Sequence, residues 1–487
     1  MIVGPDPTDV LDTPAAGGRV IRGSALRTVA YVAGLGLTLV GAALMIRHLG
    51  VEDFGKYVVV TSLIGVVGGI SEAGMSNIAV REYSIRAGED RDRLMANLLG
   101  LRIAITLVGV AAAAAFALLA GYEMAMVAGT LLAGVALLLT MIQQTVSVPL
   151  SSSLSFGWVS ALEFVRQLLL VVVVVGLVIA GADLLPFLAA PIPVALLVLV
   201  LSIALVRGVV PLVPAFRRSD WFAITRLTAA YSAATAVGAV YVYAAVIATS
   251  LVASEQESGY FGASFRIFLI LLAVPSLLIT TAFPVLARAA RDDRERLDYV
   301  LQRLFDIAVI VGCWLAFVTV VGAPLAIDVL AGENFADSVP VLRIHGVAVA
   351  FACLALTFGF VLVSLHRHRV ILLAAAAGLV LSVGLTLLLV PLLGAEGGAV
   401  GTLIVEAGIA GLYAWTLFVR GDFELDLGVP ARVAAAVVPA AALTLVPGLG
   451  PALLVILGSA VFFGLLWALG GVPDEIFEAL RPASKRA

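Results

Sequence analysis

Residues 168–180 read LLLVVVVVGLVIA, without one polar side chain between Leu168 and Ala180. The run shows neither the alternation of a half-buried strand nor the one-sided period of an amphipathic helix. All of its faces need an apolar surrounding. Extended back to Phe156, it is long enough for a helix to cross about 30 Å of hydrocarbon. Residues 196–206 form a second run of this kind.

The rest of the chain repeats the signal. Of 487 residues 62% are hydrophobic and 13% charged, with a mean hydropathy of +1.14. Soluble domains carry about a quarter charged residues, so an ordinary soluble protein is excluded, as is a disordered or collagen-like chain. Breaking the chain at charges and at Pro/Gly clusters gives fourteen candidate spans. They are 25–46, 55–77, 98–120, 124–147, 156–180, 184–206, 222–252, 259–287, 300–322, 339–365, 370–393, 397–419, 433–446 and 451–470. The expected fold is an all-α polytopic membrane protein, in which no loop is long enough to fold alone.

The net charge of −3 offers no basic field for nucleic acid. Cys313 and Cys353 are isolated in apolar stretches, too few for a disulfide framework or a metal motif. Only Lys56 and Lys485 are lysine among the 29 basic residues. Twenty-three of those 29 fall on one side of the fourteen-span alternation, in the tails and after the second, sixth, eighth, tenth and twelfth spans. Arg47, Lys56 and Arg343 take the other side, beside Glu52, Asp53, Glu123, Asp183, Glu255, Glu257, Glu333 and Asp337. The positive-inside rule then places both termini in the cytoplasm and the chain in the inner (cytoplasmic) membrane.

An internal repeat is legible at two joins. Leu49-Gly-Val-Glu-Asp-Phe-Gly-Lys-Tyr57 precedes an apolar span that ends near Arg81. Leu251-Val-Ala-Ser-Glu-Gln-Glu-Ser-Gly-Tyr260 precedes one that ends at Arg288. Six spans separate the copies, so both have the same orientation, the mark of parallel repeats. The organisation read from this is a tail (1–24), an N-lobe of six spans (25–206), a linker (207–221), a C-lobe of six (222–419), two further spans (420–470) and a tail (471–487).

Four segments resemble the Wzx-like polysaccharide flippases, in register along nearly the whole chain. Arg47-His-Leu-Gly50-Val-Glu-Asp-Phe54-Gly55-Lys-Tyr57 is similar to their R-x-L-G-x-x-x-F-G-x-Y signature. Ser71-Glu-Ala-Gly74-Met75, leading to Arg81, resembles their second-helix D-x-G-x…R pattern. Gly259-Tyr260-Phe-Gly-Ala-Ser-Phe-Arg266-Ile267 resembles G-x-Y-x-x-A-x-R-I, and residues 390–402 resemble I-P-x-x-G-x-x-G-A-A-x-A-T. That family lies in the multidrug/oligosaccharidyl-lipid/polysaccharide flippase superfamily. The resemblance implies two six-helix lobes and two extra helices. It implies alternating access that moves an undecaprenyl-diphosphate-linked oligosaccharide to the outer leaflet. Glycosyltransferases and a polymerase of the same pathway would be the partners, with membrane lipid around the chain. One departure stands out: residues 241–249 of the seventh span lack the acidic residue that members often carry there. An ion-coupling role for that position does not transfer.

A diphosphate calls for cationic donors, and guanidinium pairs phosphate oxygens bidentately while staying charged when buried. Arg266, about two turns into the eighth span, leads the candidates, followed by Arg166 in the fifth and Arg102 in the third. The plainer alternative for each is a snorkelling or helix-pairing arginine, and it is favoured for Arg102 near its span's end. Glu163 and Arg166, three apart on one helix face, are placed to pair. Such a pair either neutralises itself within the bundle or opens when diphosphate competes for Arg166. Arg27 and Arg47 end the first span and could line the two mouths, with topology anchoring as the favoured alternative. Glu406, mid-span, is the proton-coupling candidate, against a hydrogen-bonded packing residue. Glu72 is expected to pair with Arg81 or another arginine of that side. No cofactor is expected beyond proton or sodium coupling.

No nucleotide-binding loop, nucleophile elbow or zincin helix appears. A drug antiporter of the same superfamily is the nearest alternative, and fourteen spans argue against it. A polysaccharide polymerase or ligase would need a large outer loop with catalytic side chains, which is missing. A scaffold that only binds lipid-linked intermediates is the fourth reading.

Overall fold

The computed structural model describes residues 15–152, 156–208, 213–292, 294–420 and 423–471. Regular structure there is helical, with no strand among the described residues. Hydrocarbon offers the backbone no partners, and a helix satisfies its own N–H and C=O groups. The chain divides into two compact units, Met1–Tyr243 and Ala244–Ala487.

The first unit holds α1 (Ala15–Glu72), α2 (Met75–Ile85), α3 (Gly88–Leu119), α4 (Met124–Val146), α5 (Val148–Ser152), α6 (Phe156–Ile179), α7 (Leu184–Ala189) and α8 (Pro191–Leu205). Helix α9 (Arg218–Val252) passes from the first unit into the second. The second adds α10 (Glu255–Asp292), α11 (Arg294–Leu330), α12 (Ser338–Ser364), α13 (His368–Leu393), α14 (Ala395–Ala414), α15 (Gly428–Ala442) and α16 (Pro451–Ala468).

Among the described residues, thirteen helices are long and apolar enough to cross a membrane. The expected count is fourteen, and α1 takes up the first two of those spans. Its 58 residues would run about 87 Å as a straight helix, against a core of about 30 Å. Gly50 interrupts it at φ 71°, ψ −174°, a backbone conformation open in practice only to glycine. The first two expected spans lie on either side of that break.

Several boundaries differ from expectation for local reasons. The second span stops at Glu72 and not Asn77, because Ala73 (φ 26°) and Gly74 (φ 77°) turn the chain. Glu72 Oε1 then accepts the Ser76 N–H at 3.1 Å, at the start of α2. The sixth span divides into α7 and α8 at Ala190, where Pro191 and Pro193 withdraw N–H donors. The twelfth ends in a π-helical turn, Trp415–Val419, and the thirteenth begins at Gly428 and tightens into a 3-10 turn at Leu443–Leu445.

The duplication is visible as equivalent contacts inside each unit. Gly55-Lys56 and Gly259-Tyr260 occupy the same place in the repeat. Lys56 Nζ meets Glu123 Oε2, in the join of the third and fourth spans, at 2.8 Å. The Tyr260 hydroxyl lies near Asp337, in the join of the ninth and tenth. His48 Nε2 donates to the Ala182 carbonyl at 2.8 Å, tying the first–second join to the fifth–sixth. Glu257 Oε2 accepts the Ala395 N–H at 2.5 Å, tying the seventh–eighth join to the eleventh–twelfth. Gly398 permits the same closeness, since a Cβ there would stand 2.8 Å from the Phe261 ring.

Helices α15 and α16 pack on α11. Val433, Ala436, Phe462 and Leu466 bury against Ile310 and Phe317. Gly458 admits the Phe317 ring, and Trp314 Nε1 donates to Ser459 Oγ at 3.1 Å.

Candidate functional site

Two of the intramembrane arginines meet in one polar seam of the first unit, built around the end of α4. Gln143, Gln144 and Thr145 close that helix just before Pro149 opens α5. Arg166 on α6 donates NH2 to Gln143 Oε1 at 2.6 Å. Gln143 Nε2 is itself held by Ser147 Oγ (2.9 Å) and by Ser202 Oγ of α8 (3.1 Å). Glu163 approaches Arg166 NH1 at 3.5 Å, as the three-residue spacing requires. Gln167 continues the seam, donating to Glu163 Oε1 (3.3 Å) and accepting from Thr38 of α1 (3.2 Å).

Arg102 on α3 occupies the other side of the α4 end. It donates NH1 to Thr145 Oγ1 at 3.2 Å, and NH2 to Glu72 Oε2 at 2.6 Å and to Ser76 Oγ at 2.8 Å. Its side chain is 1% exposed. The snorkelling expected of Arg102 is therefore not what the structure has, because three helices supply acceptors inside. Glu72 is the keystone: one oxygen takes the guanidinium and the other caps α2. The partner left open for Glu72 is thus Arg102 and not Arg81.

The two arginines differ in commitment. Arg102 is itself buried and locked by three acceptors. Arg166 has a buried Nε with no hydrogen-bond partner, and its carboxylate neighbour Glu163 is 55% exposed. Gln144 Oε1 is likewise buried without a hydrogen-bond partner. A phosphate oxygen fits the unsatisfied Arg166 donor and not the Gln144 oxygen, an acceptor, because a desolvated guanidinium N–H without an acceptor is costly.

In the second unit Arg266 is half-buried on α10. It has no hydrogen-bond or ion-pair partner among the described residues, and its Nε is buried. The opposite face of α10 explains its direction. There Phe261, Ser264, Phe265 and Phe268 surround the wholly buried His345 of α12, and Ser264 Oγ lies 2.6 Å from His345 Nδ1. Glu406 on α14 is partly buried and neighbours Cys353 and Tyr413. Arg47 is exposed near the Gly50 break, and the side chain of Arg27 lies outside the described residues.

Sequence reasoning passed over His345, and it passed over Asp306, a buried carboxylate on α11 held by Gln302 Nε2 at 2.8 Å. His345 lies inside an apolar run, the signal that singled out Glu406, whereas Asp306 follows Arg303 by three residues and pairs with it at 3.8 Å. The acceptors Ser76, Thr145 and Ser202 carried no such signal. Small hydroxyl residues are common in membrane helices and gain meaning only from what packs against them.

The family model of the polysaccharide biosynthesis proteins matches residues 44–340, which include α2 to α10 and both copies of the repeated join. The chain belongs to that family. No curated protein sequence matches this polysaccharide biosynthesis protein. Its fold is shared with solved structures of a lipid II flippase and of multidrug resistance transporters. A structure of the lipid II flippase MurJ, in an inward closed conformation, superposes with a TM-score of 0.74 at 13% identity, covering 92% of this chain and 98% of that one. A multidrug resistance MATE family transporter in an inward-facing conformation gives 0.62 at 15% identity, covering 80% and 94%. An outward-facing structure from that family gives 0.56 at 15%, covering 82% and 95%. The Wzx-like resemblance of the motifs agrees with both the family and the fold.

Proposed function

We propose that this polysaccharide biosynthesis protein is a non-enzymatic flippase. It carries an undecaprenyl-diphosphate-linked oligosaccharide from the inner to the outer leaflet of the cytoplasmic membrane, by alternating access, for cell-surface polysaccharide synthesis. The observation that carries the reading is Arg166, a guanidinium at membrane depth with a buried unsatisfied Nε and a loosely held, exposed carboxylate partner. Diphosphate replaces Glu163 there, since two phosphate oxygens accept a planar fork better than one carboxylate 3.5 Å away. Arg266 supplies the cation of the second unit. Arg102 and Glu72 hold the frame, and Glu406 is the coupling carboxylate, for a proton or sodium ion. The arginine-rich ends of the helices face the cytoplasm, where glycosyltransferases of the pathway deliver the substrate.

The test is reconstitution of the purified chain with fluorescent lipid-linked oligosaccharide, followed by quenching of the outer leaflet. Transfer that depends on protein and falls at least tenfold in Arg166→Ala supports the reading. Deletion in the cell should leave the lipid-linked oligosaccharide on the cytoplasmic leaflet. Normal externalisation with loss of polymerisation alone would overturn the reading in favour of an enzyme.

A further inference from the structure

Between α8 and α9 the chain crosses the arginine-rich end of the first unit, and residues 213–222 are fastened there. Ala215 N–H donates to the Ala96 carbonyl at 2.8 Å, and Arg217 N–H to Asn97 Oδ1 at 3.2 Å. Arg93 grips Asp220 by two parallel bonds of 2.8 Å, and buried Asn97 adds a third at 3.0 Å. Gly100 allows this approach, because a Cβ there would stand 2.1 Å from the Ala215 carbonyl oxygen.

The acidic side chain and two backbone N–H groups of the segment thus face protein, Pro214, Ala215 and Trp221 are partly buried, and other apolar side chains face out. Val213 is 76% exposed, Phe216 59% and Phe222 66%. Arg217 and Arg218 are exposed beside them, with Arg207 at the near end. Arg93 cancels the charge of Asp220, so the outward surface is cationic as well as apolar. Rings and aliphatic side chains suit the boundary between headgroups and acyl chains, and guanidinium suits lipid phosphate.

We propose that residues 213–222 form a docking surface for anionic phospholipid headgroups, held rigidly on α3 by the Arg93–Asp220–Asn97 clasp. The negative surface of the cytoplasmic leaflet is the complementary partner. The proposal takes from the flippase reading only the leaflet that is met.

The test uses the full chain with Phe216→Cys in a Cys313→Ser, Cys353→Ala background, spin-labelled and reconstituted in phosphatidylcholine with or without phosphatidylglycerol. With phosphatidylglycerol the label should collide more with oxygen than with a water-soluble nickel chelate. Arg217→Gln with Arg218→Gln should raise the phosphatidylglycerol fraction needed on the order of tenfold. Asp220→Asn should increase label mobility. Val213→Cys repeats the measurement if the first variant fails to accumulate. A label that stays in water in both lipids overturns the proposal, as does immersion indifferent to lipid charge. Protection from both agents that grows with protein density also overturns it, assigning the surface to a second copy. No substrate enters the experiment, so its failure leaves the flippase reading standing, and a failed transport assay leaves this contact standing.

Discussion

Arg102 closes on Glu72 at 2.6 Å with its side chain 1% exposed, whereas Arg166 meets Glu163 at 3.5 Å with that carboxylate 55% exposed. These settings assign different work to the same side chain. Removing one partner of a buried pair leaves the other charge uncompensated, at a cost of about 3–5 kcal/mol, while an exposed pair contributes about 0–1 kcal/mol. Glu72 retains some solvent contact, so the loss for Arg102→Ala should be near 3 kcal/mol. Thermal unfolding in detergent should show it as a lowered midpoint, with flipping by the surviving folded protein largely kept. Arg166→Ala should lose flipping, at a stability cost of about 1–3 kcal/mol because buried Gln143 Oε1 loses this donor. Arg166→Lys should restore flipping only in part, since an ammonium keeps the charge without the fork. Arg266→Ala should insert normally yet fail to complement a deletion strain, and full activity would remove that residue from the substrate path.

At the scale of elements, apolar runs were enough to find the long apolar helices, because bilayer thickness imposes a length. The pairing of Glu163 with Arg166 was equally legible, being a matter of spacing on one helix. What stayed hidden depends on contacts between helices. Nothing local says that Arg102 finds three acceptors on α1, α2 and α4, or that the helix after Gly55 breaks at Ala73 to free Glu72 for that role. The strap at residues 213–222 was hidden too, since its anchors Asn97 and Gly100 look like ordinary members of an apolar span. Gly100→Ala tests that anchoring. Its Cβ would collide with the Ala215 carbonyl, a backbone atom that gives way only by lifting the strap. The expected loss is about 1–3 kcal/mol, with faster proteolysis near Phe216 as the readout. Gly176→Ala on α6, where a Cβ meets nothing within 4 Å, should be neutral by the same measures.

For the whole molecule, parity of the crossings decides which way every charged end points. If α1 crossed once, the chain would make thirteen passes and its two termini would lie on opposite sides. If the chain doubles back at the Gly50 break, the passes number fourteen and the termini are expected on the same side. A single crossing of 58 residues would also leave more than about 50 Å of helix outside the hydrocarbon, with Arg47, Glu52, Asp53 and Lys56 in the middle of the segment. The prediction is therefore specific at the turn. A cysteine replacing Val51 should react with a membrane-impermeant maleimide in intact cells, and one replacing Arg217 should react only after permeabilisation. Reaction at both positions from the same side would mean that α1 does not double back, and the orientation of the arginine-rich ends would have to be reversed for one unit. Coupling can then be read in the oriented protein. Transfer that is faster with an inward proton gradient in the wild type, and indifferent to it in Glu406→Gln, is the outcome expected if that carboxylate carries the proton; equal wild-type rates with and without the gradient would remove it from the coupling path.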